Sequence, residues 1–499
     1  MRFILSLFTA IAVIVFAPTS AAKTIEVKSE NFVLIGNVSE NDGRALVTEI
    51  EQYRQAILQL QKVTPSPEPI RVRIYTARNK TELEMLTGRT GIAGIYTTTL
   101  DGPIFILNSQ KGFRRGKQAR HIALHEYTHH LIAAYSDEVY PRWYNEGLAN
   151  YFSTFEVDKK GNLIIGRPYQ PYGYALSVKK WMPMATLTGA IRKYPYSSNK
   201  RNSSGLGPAD FFYAQSWLAV HYILSTPGEP AKMRKYMDLL NNGTPANEAF
   251  QQGFNRTPED FQSILKSYHR ANKFRTVTIK PNVELADIPL EVRVLGKGEA
   301  AFHKAEAMRF FSGANVKTAD IEKQYSKAEA LLGETPAINA ARADLRSWEN
   351  DYESAQALYS KALAQAPKDE MVNLITGTVL IYKYENGENV GANNIKLARK
   401  HLMRAMRANP DNIGAHYLYA KSFHLTGDTP SAQALASAET ALDYYRSINF
   451  VDSNLMLASL LIKGGKDELA HPVIDKAIIW GHTASIRSGA RRMRKHLQP

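Results

Sequence analysis

His125-Glu126-Tyr127-Thr128-His129, followed by Trp143-Tyr144-Asn145-Glu146-Gly147-Leu148-Ala149-Asn150, is the stretch on which the reading of this chain turns. The apolar pattern predicts a helix over 117–134 and a second over 142–155, the latter beginning after Pro141. Residues four apart on a helix share a face, about 6 Å apart along the axis, so His125 and His129 can reach one ion. Glu126 is one position on and cannot share that ion, but it can hold a water and take its proton. Sixteen residues separate His129 from Glu146, enough for one loop and the first turn of a returning helix. Zinc suits neutral imidazole and carboxylate, and a catalytic zinc site takes three protein ligands plus an open position. His125, His129 and Glu146 are the expected ligands of one Zn2+ ion. With 13 His and at most 47 Glu in 499 residues, chance matches to the five-residue motif number only about 0.03. The competing reading is an amphipathic helix with surface histidines.

Two neighbouring histidines do not extend the ligand set. His121 to His129 spans eight residues, about 12 Å of helical rise, and one zinc with bonds near 2.0–2.1 Å cannot take both ends. His121 is expected to support the site or the structure. His130 points about 100° away from His129 and is expected to pack or face solvent.

Composition narrows the setting. Apolar residues are 44% and charged residues 22%, proportions of a globular chain with material for more than one core. There is no cysteine, which excludes disulfides, thiolate metal sites, cysteine nucleophiles and a lipid-modified N-terminal cysteine. Arg2, an apolar run over residues 3–17 and the small residues before Lys23 read as a secretory signal peptide, residues 1–22. The run is short for a bilayer of about 30 Å. The expected protein is exported, to the bacterial periplasm or medium, with no stable membrane insertion after cleavage. The net charge of +15 includes basic clusters at 111–120 and 487–495, read as solvated surface, or as attraction to anionic surfaces or acidic substrates. Nucleic acid is set aside as a partner on the ground of export. No Walker lysine motif or G-x-S-x-G elbow occurs.

Strands are expected at 32–35 and 70–74, with a strand pair at 95–96 and 104–107, and helices dominate from 117. Strands first and helices after predict an α+β domain over 23–275, then a linker over 276–298. From 299 to 499 the chain is Ala-rich and helical. Tyr352, Ala355, Tyr359, Ala362 and Pro367 recur as Ile395, Ala398, Leu402, Ala405 and Pro410. That offset of 43 is a 34-residue period plus an insertion near 384–394, and it resembles tetratricopeptide repeats, three to four helix pairs in all. Such an array is expected to bind substrate or a protein partner.

The two motifs together resemble the gluzincin metallopeptidases, and the closest likeness is to the peptidase MA-like family of exported proteins, often followed by tetratricopeptide repeats. The resemblance covers about residues 25–275 and includes Ser29-Glu30-Asn31-Phe32-Val33. It implies an α+β zincin-like fold, a peptidase activity in which Glu126 acts as base, and a catalytic tyrosine at Tyr213, with His221 as competing donor. It also implies a carboxylate four residues beyond the ligand glutamate. Here that position is Asn150, so the orienting charge is missing. The β-pair at 95–107 is expected to offer its edge to an extended peptide. Two other functions fit the same residues: a non-catalytic envelope scaffold with a vestigial zinc domain, and a zinc amidase acting on a cell-wall bond.

Overall fold

A computed structural model of the chain describes residues 23–497 apart from 65, 93, 100–101, 110–116, 137, 179–180, 197–199, 281–287, 312–315, 388–391, 445–450 and 482. The signal-peptide reading of 1–22 lies outside the described residues, as does most of the basic cluster at 111–120. Among the described residues, no helix is long and apolar enough to cross a membrane.

The alternating apolar residues build one central sheet. β1 (Thr24–Lys28) and β2 (Phe32–Asn37) form an antiparallel pair, and α1 (Glu40–Gln61) leads from them to β3 (Val72–Ala77). α1 starts at Ser39, whose side chain accepts from the Asp42 N–H. α2 (Lys80–Thr87) ends at Gly88, which takes φ +64, and the hairpin of β4 (Gly94–Thr99) and β5 (Gly102–Asn108) follows. β3 runs parallel to both β2 and β5. α3 (Lys117–Tyr135) and α4 (Arg142–Phe152) carry the two motifs. Beyond them come β6 (Glu156–Val157), β7 (Leu163–Ile165), α5 (Gln170–Ser177), α6 (Met184–Thr188), α7 (Pro208–Ser225), α8 (Glu229–Asn241), α9 (Ala246–Phe254) and α10 (Pro258–Ala271).

The stretch read as a linker contributes two strands. β8 (Val277–Ile279) joins a small sheet of order β6-β7-β8, and β9 (Glu291–Val294) pairs antiparallel with β1. The main sheet is therefore β4-β5-β3-β2-β1-β9, with one edge supplied from beyond residue 290.

Eleven described helices follow: α11 (Lys297–Arg309), α12 (Thr318–Leu332), α13 (Pro336–Trp348), α14 (Tyr352–Gln365), α15 (Glu370–Glu385), α16 (Ala392–Ala408), α17 (Ile413–Thr426), α18 (Ala432–Tyr444), α19 (Val451–Lys463), α20 (Asp467–Trp480) and α21 (Ala484–His496). They pack as five consecutive pairs with α21 last, more than the three to four pairs read from the sequence. The full five-position recurrence with its closing proline marks only α14 and α16, so the full number of pairs was not counted from the sequence. The insertion expected near 384–394 falls at the join of α15 and α16, where residues 388–391 lie outside the described residues. Gly377 of α15 packs where an added Cβ would meet Leu402 at 2.6 Å, the close approach that small residues permit in paired helices.

The array and the first region share a core. Val72, Ile74, Phe105 and Leu107 face α1 and α3, whereas Tyr75, Ile104 and Ile106 face away and are covered with Met308, Tyr325 and Leu345 of the first repeats. Arg73 stacks over Phe310 at 4.5 Å on that covered face. At the other end Trp480 of α20 enters the first region's core and donates from Nε1 to Asn241 Oδ1 at 3.0 Å. Thus an N-terminal α/β region and a C-terminal all-helical, repeat-like region are packed together at several places.

One glycine sets the spacing of the helices that matter most. A Cβ on Gly147 would lie 2.5 Å from the Ser216 carbonyl oxygen, so α4 and α7 touch backbone to side. Gly147→Ala is expected to cost about 1–3 kcal/mol by forcing α4 off α7. Urea unfolding of the wild type and variant measures it.

Candidate metal centre

His125 and His129 project from one face of α3, and Glu146 projects from the first turn and a half of α4 toward them. His125 Nε2 and His129 Nε2 lie 3.2 Å and 3.4 Å from Glu146 Oε2, and 3.2 Å from each other. A tetrahedral ion with bonds of about 2.0–2.1 Å keeps its ligand atoms about 3.3–3.4 Å apart. The three edges are close to that spacing, so the three atoms could hold one ion. Among the described residues, these are the group of His and carboxylate side chains with such convergence. Glu146 is only 2% exposed, and its Oε2 is buried with no hydrogen-bond donor. A buried carboxylate oxygen facing two imidazole nitrogens needs a positive charge.

Each group is held from behind. His129 Nδ1 lies 2.7 Å from Asn145 Oδ1; the Nδ1–H donates there, which leaves Nε2 with its lone pair free on the side of Glu146. Glu146 Oε1 accepts from the Tyr194 hydroxyl at 2.8 Å, and the Arg142 guanidinium lies 3.7 Å away and over the Tyr194 ring. The N–H groups of Arg142 and Trp143 donate to the Ile191 and Ala190 carbonyls, so the same segment that carries Tyr194 also anchors the start of α4. Burial pushes the Glu146 carboxyl up, but the charge of His129 and the two imidazoles facing it outweigh that and hold the group well below the usual range. His129 is the counterpart: burial pushes it down, and Glu146 raises it further.

Glu126 is half-buried on the exposed side of the pair, close enough for its charge to act on His129. The Tyr213 ring lies 6.2 Å from the His125 ring and 6.4 Å from the Tyr194 ring, and burial followed by the Glu146 charge raises its hydroxyl far above the ordinary tyrosine value. Tyr213 thus lies beside His125 as a protonated hydroxyl. His221 is not: its Nε2 bonds the Gly166 carbonyl at 2.9 Å, its Nδ1 lies 3.0 Å from the Tyr268 hydroxyl, and both contacts belong to the core under α7.

His121 is buried, stacked on Tyr169 at 4.0 Å, and bonded through Nε2 to Ser153 and Tyr172. Burial, then the charge of His125, lowers its pKa to about 3, so it supports the helix as a neutral ring. Asn150 does not reach a histidine ligand. Its amide donates to the Tyr213 carbonyl at 3.3 Å and its Oδ1 accepts from Tyr172 at 2.5 Å, tying α4 to α7 and α5. Orientation of His129 passes instead to Asn145, the residue before the glutamate ligand. Asn145 and Tyr194 were not singled out from the sequence. Asn145 stands in the quoted motif, but Tyr194 approaches from a loop 48 residues away with no pattern to mark it.

His130 is buried, neither surface nor simple packing. Its Nε2 bonds Glu68 Oε2 at 3.2 Å and its Nδ1 lies 3.1 Å from the Tyr96 hydroxyl of β4. Glu68 Oε1 accepts from Arg54 Nε at 3.1 Å and from the Tyr127 hydroxyl, and the Glu68 N–H donates to Asn31 Oδ1. Asn31 in turn donates from backbone and side chain to Glu51. This buried polar network fixes the back of α3 against α1 and the sheet edge.

No family model matches the chain, and no curated protein matches it. A crystal structure of a thermophilic tetratricopeptide-repeat protein from Thermus thermophilus is similar over 40% of this chain and 99% of that one, with TM-score 0.31 and 15% identity.

Two outcomes follow from this geometry. Asn145→Ala frees the His129 ring and is expected to weaken zinc binding ten- to a hundredfold, read by competition with a colorimetric chelator. Burial raises Glu68 but His130 and Arg54 outweigh it, lowering its pKa from 4.5 to about 2; Tyr127 on α3 and Tyr444 at the end of α18 complete its surroundings. A depressed folded-state pKa means stability present above pH 4.5 and lost as pH falls toward 2. Glu68→Gln is expected to cost about 3 kcal/mol at pH 7, a gap that closes toward pH 2 in urea melts.

Proposed function

We propose that the chain is an exported zinc-dependent metallopeptidase of the gluzincin type, with a zincin-like catalytic fold, whose repeats engage substrate or a protein partner. The observation that carries the reading is the triangle of His125, His129 and Glu146 atoms with edges of 3.2–3.4 Å. The residues present fit zinc: two imidazoles presenting Nε2, one carboxylate oxygen without a donor, and an orienting acceptor on His129. Bound there, the ion would polarise a scissile carbonyl and make an attacking water more acidic.

The chain's own groups do the rest. Glu126 takes a proton from the attacking water and returns it to the amine that leaves, so the carboxylate is regenerated. Tyr213 donates to the oxygen on which negative charge develops, and its raised pKa keeps it a donor at neutral pH. Tyr194 donates to Glu146 Oε1, so Oε2 is the carboxylate oxygen that would be left to hold the ion. β4 is the outer strand of the main sheet and packs against α3, a position from which an extended peptide could add to its edge.

Glu126→Gln is expected to abolish hydrolysis of an unfolded protein substrate, a fall of at least a thousandfold, while zinc content stays near one ion per chain. Dialysis against a chelator removes activity and re-addition of zinc restores it. Full activity in Glu126→Gln would sink the mechanism. Retained biological function in ligand variants, with loss on deletion of repeats, would favour a scaffold. Release of cell-wall fragments with no polypeptide cleaved would favour the amidase.

A further inference from the structure

α21 carries Arg487, Arg491, Arg492, Arg494 and Lys495 and no carboxylate. Ile486, Ala490, Met493 and Leu497 pack it onto the neighbouring helices, so the apolar side is turned inward and the basic side outward. Arg487 and Arg491 are one turn apart on the same face. Arg192 meets them from the other end of the chain, in the segment after α6. Its Nε donates to the Ile479 carbonyl at 2.5 Å, while Arg487 Nη1 donates to the Gly481 carbonyl at 2.6 Å. Two guanidinium groups from separate regions thus share the C-terminal end of α20.

The helix dipole favours cations at that end, which accounts for one contact from each. It does not account for the rest. A guanidinium has five N–H donors, and among the described residues none of Arg192, Arg487 and Arg491 has a carboxylate partner. Arg494, by contrast, pairs with Asp475 at 3.4 Å. Burial, then the charges of Arg487 and Arg491, hold Arg192 below the ordinary guanidinium range. Like charges gathered without a counter-charge form a surface that an anion relieves, and guanidinium forks match carboxylates bidentately.

The position of this surface gives it meaning. Arg192 stands two residues before Tyr194, whose hydroxyl bonds the ligand Glu146. Two extended residues plus both side chains place the Arg192 guanidinium no farther than about 20–25 Å from the Glu146 carboxylate, the span of about seven extended residues. We propose that Arg192, Arg487 and Arg491 form a docking site for an acidic stretch of the polypeptide substrate, lying within about seven residues of the bond cleaved. The word substrate rests on the peptidase reading; binding at the arginines does not require turnover. A membrane surface fits less well, because the outward side of α21 offers no apolar residues to insert.

The test uses the full-length chain and fluorescein-labelled hexaglutamate, followed by anisotropy at low and high salt. The wild type and Glu126→Gln bind equally, more weakly at high salt. Arg491→Glu, which disturbs no backbone carbonyl, weakens binding at least tenfold, and Arg487→Glu/Arg491→Glu removes it. Lys323→Glu/Lys327→Glu, an equal charge change on α12, leaves it unchanged. Wild-type affinity in the arginine variants, or no binding by the wild type, overturns the proposal. So does binding to phosphatidylglycerol vesicles with none to hexaglutamate. If the peptide binds through the arginines while no polypeptide is ever cleaved, the peptidase reading falls and the docking site stands.

Discussion

Glu146 is a carboxylate taken out of water with one oxygen satisfied by Tyr194 and the other facing only two imidazole edges. An ionised carboxylate in that position is tolerated only beside positive charge. Much of the surrounding structure exists to hold it there. Carbonyls of 190–191 cap the start of α4, Gly147 lets α4 settle on α7, and Asn145 turns His129 so that its free nitrogen faces the same point. Behind α3, the Glu68–Arg54–His130 cluster resists any roll of the helix that would carry the histidines off target. The centre is rigid because its electrostatic debt is met from several elements at once.

The second organising fact is that the sheet is covered on both faces by different parts of the chain. α1 and α3 take one face, and the first repeat helices take the other. The first repeat helices are therefore part of the sheet's packing. The far end of the array returns to the first region through Trp480 and Arg192, near the segment that carries Tyr194. A contact made on the last helices is thus a few residues removed from the tyrosine that holds Glu146.

The histidine pair, its glutamate and the helices that bear them were legible because each depends on short-range spacing: four residues on a helix, or one loop and a returning turn. The repeat pattern was legible where alanines recur at fixed spacing, as in α14 and α16, and it did not give the full number of pairs where that spacing is incomplete, as in α11 and α12. The alternation of Ile70, Val72 and Ile74 with arginines read as a strand wet on one side. In the folded chain Arg73 lies over Phe310, because a distant helix covers that side. Tyr194, and the pairing of 291–294 with 25–28, escaped for a common reason: each is a contact between segments far apart in the chain, for which composition and period carry no signal.

That last pairing governs how the molecule assembles. β1 is among the first described residues, yet its outer partner β9 and the helices over its sheet are made more than 260 residues later. Until then the sheet has an open edge and a bare apolar face. Contacts of such sequence separation close slowly, and they give the half-made chain a long interval in which it is sticky. An N-terminal fragment ending near 275 would carry both motifs and lack the strand and helices that finish its sheet. The order of synthesis therefore makes the completed sheet one of the later products of the chain's own folding.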